Sequence, residues 1–302
     1  MGTALVFSGQ GAQKPGMGLD LYENNGAARA VFEKAPTEIR RICFSGTPDE
    51  LALTHNTQPC VYTVTMAAFA AFLTKKIPYD MAAGFSLGEY AALTASGVFD
   101  FETGIDLVTK RGAYMAECAS EDSGMAAVLG ERETVLRLIE QSEGGGMLLP
   151  VNYNAPTQIV VAGSGQRYQS FIKTAAENKL KVISLKVSGA FHSPMMQPAS
   201  AKIRKLLGSL TLHAPRFPVY SNVTAKDMCG GDLIDLIARQ TMSPVLWEQT
   251  VRNMIAAGAD RFIEIGVGST LCGLIRKIDR SVEVYNIDSC ASLEKTAAAF
   301  LN

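Results

Sequence analysis

Short apolar runs that read as strands alternate with longer helical stretches along most of this chain, and that alternation restricts it to a layered α/β fold with a mainly parallel sheet. Residues 4–8, 81–84, 219–221, 261–265 and 282–287 have the strand pattern, and residues 63–73, 87–96, 101–118, 195–206 and 244–257 the helical one. The middle third breaks the rhythm. Strand-like 124–129, a charged helical stretch at 131–143, the turn Gly144-Gly145-Gly146, strand-like 148–153 and 158–162, helical 168–178 and strand-like 181–187 follow one another. Their order is β-α-β-β-α-β, the ferredoxin-like arrangement. The expected organisation is a catalytic domain over 1–122 and 189–302, with a smaller ferredoxin-like subdomain, 123–188, inserted into it.

Within that frame, Gly84-Phe85-Ser86-Leu87-Gly88 is the most specific local signal. A short apolar run precedes it, and helix formers (Leu87, Glu89, Ala91, Ala92, Leu93, Ala95) follow up to Gly97. Gly-x-Ser-x-Gly between a strand and a helix is the pattern of a nucleophile elbow. The glycines let strand and helix approach closely, and the serine hydroxyl sits at a helix N-terminus, where developing negative charge is favoured. The pattern alone is also met in ordinary strand-to-helix turns; the flanking elements make Ser86 the candidate nucleophile.

Composition narrows the function classes. The 302 residues include 28 basic and 29 acidic ones, a net charge of −1, so no basic excess points to nucleic acid. No window of membrane-spanning length is free of charges and turn residues, and Met1 to Phe7 resembles a first strand more than a signal peptide. Six scattered cysteines without a Cys-x-x-Cys pair predict a reduced cytoplasmic protein with buried thiols and no metal site. The glycosylation sequon Asn222-Val223-Thr224 carries little weight without a secretory signal.

A serine hydroxyl needs a general base, usually histidine, and the chain has three. His55 lies in a polar stretch read as a turn, and His213 precedes a proline-punctuated segment; both fit surface roles. His192 lies in the small-residue loop Ser188-Gly189-Ala190-Phe191-His192-Ser193-Pro194, between a strand and a helix, where strand ends converge. No Asp or Glu stands out as a third triad member, so a carbonyl is left to orient the imidazole. One oxyanion donor is expected from Leu87, and another from Gln10, in the loop Ser8-Gly9-Gln10-Gly11-Ala12-Gln13. Neither that loop nor Gly266-Val267-Gly268-Ser269-Thr270-Leu271 completes a nucleotide-binding fingerprint. Arg111, on the helix read at 101–118, is by position a solvated charge; beside a site it is a group that pairs with a carboxylate.

Taken together, these residues resemble the malonyl-CoA:acyl carrier protein transacylases of bacterial fatty-acid synthesis. The resemblance runs through essentially the whole chain. It is carried by Gly9-Gln10-Gly11-Ala12-Gln13, Thr57-Gln58-Pro59, Gly84 to Tyr90, Lys110-Arg111-Gly112, Val151-Asn152-Tyr153-Asn154, Gly189 to Pro194, Arg239-Gln240, Ser243 to Trp247 and Glu264 to Gly268. It implies an α/β-hydrolase-like large domain with the inserted ferredoxin-like subdomain, and a ping-pong transfer of malonyl from coenzyme A to a carrier protein's phosphopantetheine thiol. By the same resemblance Ser86 is the nucleophile and His192 the base and acid. Gln240 orients His192 through its main-chain carbonyl, and Gln10 and Leu87 form the oxyanion hole. Arg111 clamps the malonyl carboxylate, Gln58 lines the pocket, and Phe191 is the malonyl-type residue before the catalytic histidine. No cofactor is implied beyond malonyl-CoA as substrate, and a monomer is expected. Phe85 departs from the family, which usually has His before the nucleophile; this bears on pocket polarity rather than on the general base. Three alternatives stay open: a trans-acting acyltransferase of polyketide synthesis, an acyl-CoA hydrolase on the same site, and an idle carrier-binding scaffold.

Overall fold

Ala4, Leu5, Val6 and Phe7 are all fully buried, as a central parallel strand covered on both faces must be. In the computed structural model, which describes residues 2–187 and 189–301, the strands are β1 (Gly2–Phe7), β2 (Met81–Gly84), β3 (Ser123–Leu129), β4 (Leu148–Ala155), β5 (Gln158–Ser164), β6 (Lys181–Ser184), β7 (Val219–Tyr220), β8 (Ala259–Ile265) and β9 (Glu283–Ile287). The expected domain limits at 1, 188 and 302, and the first residue of the loop before His192, lie outside the described residues.

Five of these strands form a sheet in the order β7-β2-β1-β8-β9, with parallel pairing throughout. Side chains alternate across it. Leu5, Phe7, Ala82, Ile263 and Ile265 join a large core with the helix Thr54–Leu73. Ala4, Val6, Met81, Ala83 and Phe262 join a second core with Trp247, Val251 and Met254 of the helix Trp247–Ala256. The layered α/β architecture follows from this period-2 division of apolar residues between two helix-covered faces.

The middle third forms its own antiparallel sheet, β4-β5-β3-β6, with the helices Arg132–Gln141 and Gly165–Glu177 closing a separate core around Phe171. Element order there is β-α-β-β-α-β, as the sequence pattern predicts. Val245 ties the two sheets together: its N–H donates to Val151 C=O at 2.8 Å, and its C=O accepts from Tyr153 N–H at 2.9 Å. That pairing holds Val245 in a β-bridge, so the helix expected from 244 begins only at Trp247.

A second correction concerns residues 54–58. They form the opening turns of the helix Thr54–Leu73 rather than a polar turn, and Pro59 lies inside that helix. The polar side chains find local partners: Thr57 Oγ1 donates to Leu51 C=O at 2.5 Å, and Thr63 Oγ1 to Pro59 C=O at 2.8 Å. Thr54, Thr57 and Gln58 are also buried, so tertiary packing outweighs weak local propensity. The thiols also differ from expectation, since Cys43, Cys60 and Cys272 are buried but Cys229 is exposed. No helix among the described residues is long and apolar enough to cross a membrane.

β2 leads straight into the helix Gly88–Ala95, which lies tight against the sheet. A Cβ on Gly88 would stand 2.1 Å from Phe7 O, and one on Gly84 1.9 Å from the Gly88 carbonyl carbon, in both cases against backbone that cannot swing aside. Gly88→Ala is therefore expected to cost about 2–3 kcal/mol or more in denaturant unfolding. Gly273→Ala, in the helix Thr270–Ile278 with nothing within 4 Å of the new Cβ, is expected to stabilise by up to about 1 kcal/mol. Equal effects at the two sites would show that the elbow is not backbone-limited.

Candidate active site

Strand, turn and helix place Ser86 in the left-handed region, with φ of 52°. That conformation costs a non-glycine residue roughly 1–2 kcal/mol and persists only when its surroundings hold it. His192 is left-handed as well, with φ of 61°, and its N–H donates to Thr241 C=O at 2.9 Å. The two strained residues meet: Ser86 Oγ lies 2.8 Å from His192 Nε2.

The imidazole tautomer follows from its other edge. Nδ1 faces the carbonyl oxygens of Gln240 at 2.9 Å and Ser243 at 3.2 Å, both acceptors only. Nδ1 must carry the hydrogen, which leaves the Nε2 lone pair for the serine proton. Two carbonyls thus occupy the place of a triad carboxylate, in accord with the absence of an acidic candidate in the sequence. Burial pushes the His192 pKa down to about 4, and the Arg111 charge adds to that shift. The ring is accordingly neutral at pH 7 and competent to accept a proton.

Arg111 is only 1% exposed despite its charge, so the reading of a solvated side chain is overturned. Its Nη1 donates to Gln58 Oε1 at 2.8 Å; its Nη2 donates to Gln240 Oε1 at 3.0 Å and to Ser86 Oγ at 3.2 Å. The guanidinium also lies 5.3 Å from the Tyr90 ring centroid. These partners are all neutral. The nearby carboxyl, Glu89, accepts from Asn222 N–H at 2.6 Å instead. Burial raises its pKa to about 8, against the lowering pull of that hydrogen bond and of Arg111, so it is largely protonated at pH 7. Burial lowers the Arg111 pKa too, yet a guanidinium stays charged at any working pH.

The remaining sequence candidates divide. Gln58, buried, spans Arg111 and Met115, donating from Nε2 to Met115 Sδ at 3.5 Å. Phe191 is buried beside Met115, Met125 and Met196 in the apolar cluster under the His192 loop. The loop after β1 abuts the elbow, since Phe85 N–H donates to Phe7 C=O at 3.0 Å and a Cβ on Gly9 would lie 2.4 Å from Phe85 O. Among the described residues no hydrogen bond engages the N–H of Gln10 or of Leu87, which leaves both as donors. Phe85 packs edge-on against Trp247, with centroids 5.4 Å apart, as part of the second core. His55 and His213 are exposed.

Asn222 was missed as a site residue and noticed only as a sequon. It is fully buried, and its carboxamide accepts from Ser86 N–H at 2.7 Å and donates to Gly84 C=O at 2.6 Å. Such a side chain is no glycan acceptor in the folded protein. Its available signal was position, as a polar residue just past the C-terminal end of a strand, where α/β sites gather.

Comparison with known proteins gives the family. Residues 4–298 match the family described as acyl transferase domain. The malonyl CoA-acyl carrier protein transacylase of Bacillus subtilis is 37% identical over 300 residues, covering 96% of this chain and 95% of that protein. The crystal structure of the enzyme of that name from Clostridium perfringens superposes with a TM-score of 0.95 at 35% identity, over 100% of this chain and 98% of that one. A malonyl-transacylase in complex with a type II polyketide synthase acyl-carrier protein superposes at 0.94, with 30% identity over 99% of this chain and all of that one. With a match spanning nearly every residue and relatives alike over their full lengths, the chain belongs to the acyl transferase domain family and is an acyltransferase.

Proposed function

We propose that this acyltransferase moves a malonyl group from malonyl-CoA to the phosphopantetheine thiol of an acyl carrier protein, through a malonyl ester on Ser86. The observation that carries the reading is Arg111: a buried guanidinium 3.2 Å from the nucleophile, held only by neutral partners. A buried cation without an anion is costly, and an acyl group bearing its own carboxylate supplies the missing partner. A neutral acyl chain does not. The full-length relatives named for malonyl transfer, one of them in complex with a carrier protein, favour the same substrate and partner. We read the five-stranded sheet with its helices as α/β-hydrolase-like, and residues 123–188 as the inserted ferredoxin-like subdomain.

In this reading His192 Nε2 takes the Ser86 proton as Oγ attacks the thioester carbonyl. The N–H groups of Leu87 and Gln10 receive the developing oxyanion, and Nδ1–H stays on the Gln240 and Ser243 carbonyls so that the imidazolium keeps its orientation. Collapse breaks the carbon–sulfur bond, and His192 returns its proton to the departing CoA sulfur. The carrier thiol then gives its proton to His192 and attacks the ester; the bond between the acyl carbon and Ser86 Oγ breaks, and His192 returns the proton to Oγ. The Phe85 ring lies on Trp247 in the second core and has no part in these proton transfers.

Three outcomes test the reading. Intact mass after brief mixing with malonyl-CoA is expected to show one malonyl adduct, absent in Ser86→Ala and discharged when holo carrier protein is added. Discharge without carrier at the same rate would instead mark a hydrolase. Arg111→Ala is expected to lower kcat/KM for malonyl-CoA by roughly a thousandfold, the scale of a buried charge-assisted pair, and to leave acetyl-CoA turnover equal or improved. An equal fall for both substrates would remove Arg111 as the basis of selectivity. The third outcome is a pH profile. His192 works only when neutral, so it is active above its pKa and lost below it. With that pKa held down near 4, kcat/KM is expected to stay level from pH 7 down to about 5 and fall below that. A fall centred near the ordinary histidine value would show that burial and Arg111 do not control the base.

A further inference from the structure

An elbow interrupts the regular pairing of its backbone. Phe85 N–H still donates to Phe7 C=O at 3.0 Å and Glu89 N–H to Ser86 C=O at 3.1 Å, but Ser86 N–H falls outside both the strand ladder and the helix, at a break where Ser86 is left-handed. The support comes from far along the chain. Asn222 Oδ1 accepts from Ser86 N–H at 2.7 Å while its Nδ2 donates to Gly84 C=O at 2.6 Å, so one carboxamide bridges the residues on both sides of the bend. Asn222 N–H donates to Glu89 in the first turn of the helix. Strand end, nucleophile and helix start are therefore all bonded to a single residue.

That residue is itself immobilised. Its C=O accepts from Leu246 N–H at 2.9 Å, and Ala225 N–H closes the loop onto Ser221 C=O at 2.8 Å. Gln240 completes the arrangement from the other side: its Nε2 donates to Ser86 C=O at 2.7 Å and lies 3.4 Å from Asn222 Oδ1. The peptide groups before and after the Ser86 Cα are thus both clamped, and the direction of the Cβ–Oγ bond is set by them.

We propose that Asn222 is the positioning residue of the nucleophile: its carboxamide holds Ser86 in the left-handed conformation that aims Oγ at His192 Nε2. This rests on the reading of Ser86 as the nucleophile. The chemistry explains the residue type, since the clasp requires a hydrogen-bond acceptor and a donor on one short side chain. Aspartate offers only the acceptor, leucine neither, and glutamine places the amide one methylene too far. The contribution is to geometry, because the Asn222 carboxamide bonds to the elbow backbone and not to His192, and catalytic contacts displaced by a fraction of an ångström lose rate before they lose binding.

The test separates aim from binding and from folding. Two rate constants are measured: malonylation of Ser86 on rapid mixing with saturating malonyl-CoA, and labelling of Ser86 by a small fluorophosphonate, which requires the serine but no malonyl recognition. Malonyl-CoA affinity is measured in Ser86→Ala, with Asn222 intact and as Asn222→Ala. Asn222→Ala is expected to slow both reactions roughly a hundredfold, with affinity unchanged within about threefold. Asn222→Asp, which keeps the shape and the acceptor, is expected to fall between, about tenfold slow, and it decides the matter if the alanine variant does not fold. Both variants reacting within about threefold of the parent, or a loss confined to affinity, would overturn the proposal. A parent protein that neither labels nor malonylates would overturn the nucleophile assignment, and this proposal with it.

Discussion

A full positive charge carried into the interior is what the rest of this site is built to accommodate. Desolvating a guanidinium costs on the order of several kcal/mol, and Arg111 recovers it through Gln58 on one helix, Gln240 on another and the Tyr90 ring on a third. The same charge, added to burial, keeps His192 neutral, and its pull on Glu89 works against that residue's desolvation. The charge state of His192 thus follows from burial and the cation together, while its tautomer is set by the Gln240 and Ser243 carbonyls. In the proposed transfer, a carboxylate arriving with the acyl group would meet a field already directed at it, with little reorganisation left to do.

The second constraint is steric. The helix after β2 approaches the sheet so closely that only glycine fits at positions 84 and 88, and the bend between them forces Ser86 out of ordinary backbone space. Strain of that kind relaxes unless something opposes it. Asn222 and Gln240 do so from segments more than 130 residues away in sequence, and Gln240 also turns its carbonyl to His192. The Val245 pairing with β4 comes five residues after Gln240, so the small sheet anchors the segment that orients the base. The two sheets are thereby coupled mechanically at the catalytic residues.

Much of this was legible in the residues alone. Short apolar runs separated by helical stretches point to a layered α/β fold, because strands buried on both faces need helices to cover them, and the β-α-β-β-α-β order of the middle third is written in its turn glycines and its succession of runs. Gly-x-Ser-x-Gly marks Ser86 as the candidate because the bend needs glycines there, and of the three histidines the sequence favours His192, the one that lies 2.8 Å from Ser86 Oγ. Local pattern erred where packing overrules propensity: at 54–57, drawn into a helix with Thr54 and Thr57 buried, and at Val245, paired with β4. What only the tertiary structure decided is which polar side chains lie inside. Arg111 reads as a surface charge and Asn222 as part of a sequon, because a helix position or a tripeptide says nothing about what packs over it. Burial of a charge or an amide is settled by partners brought from elsewhere in the chain, and those partners exist only once it has folded.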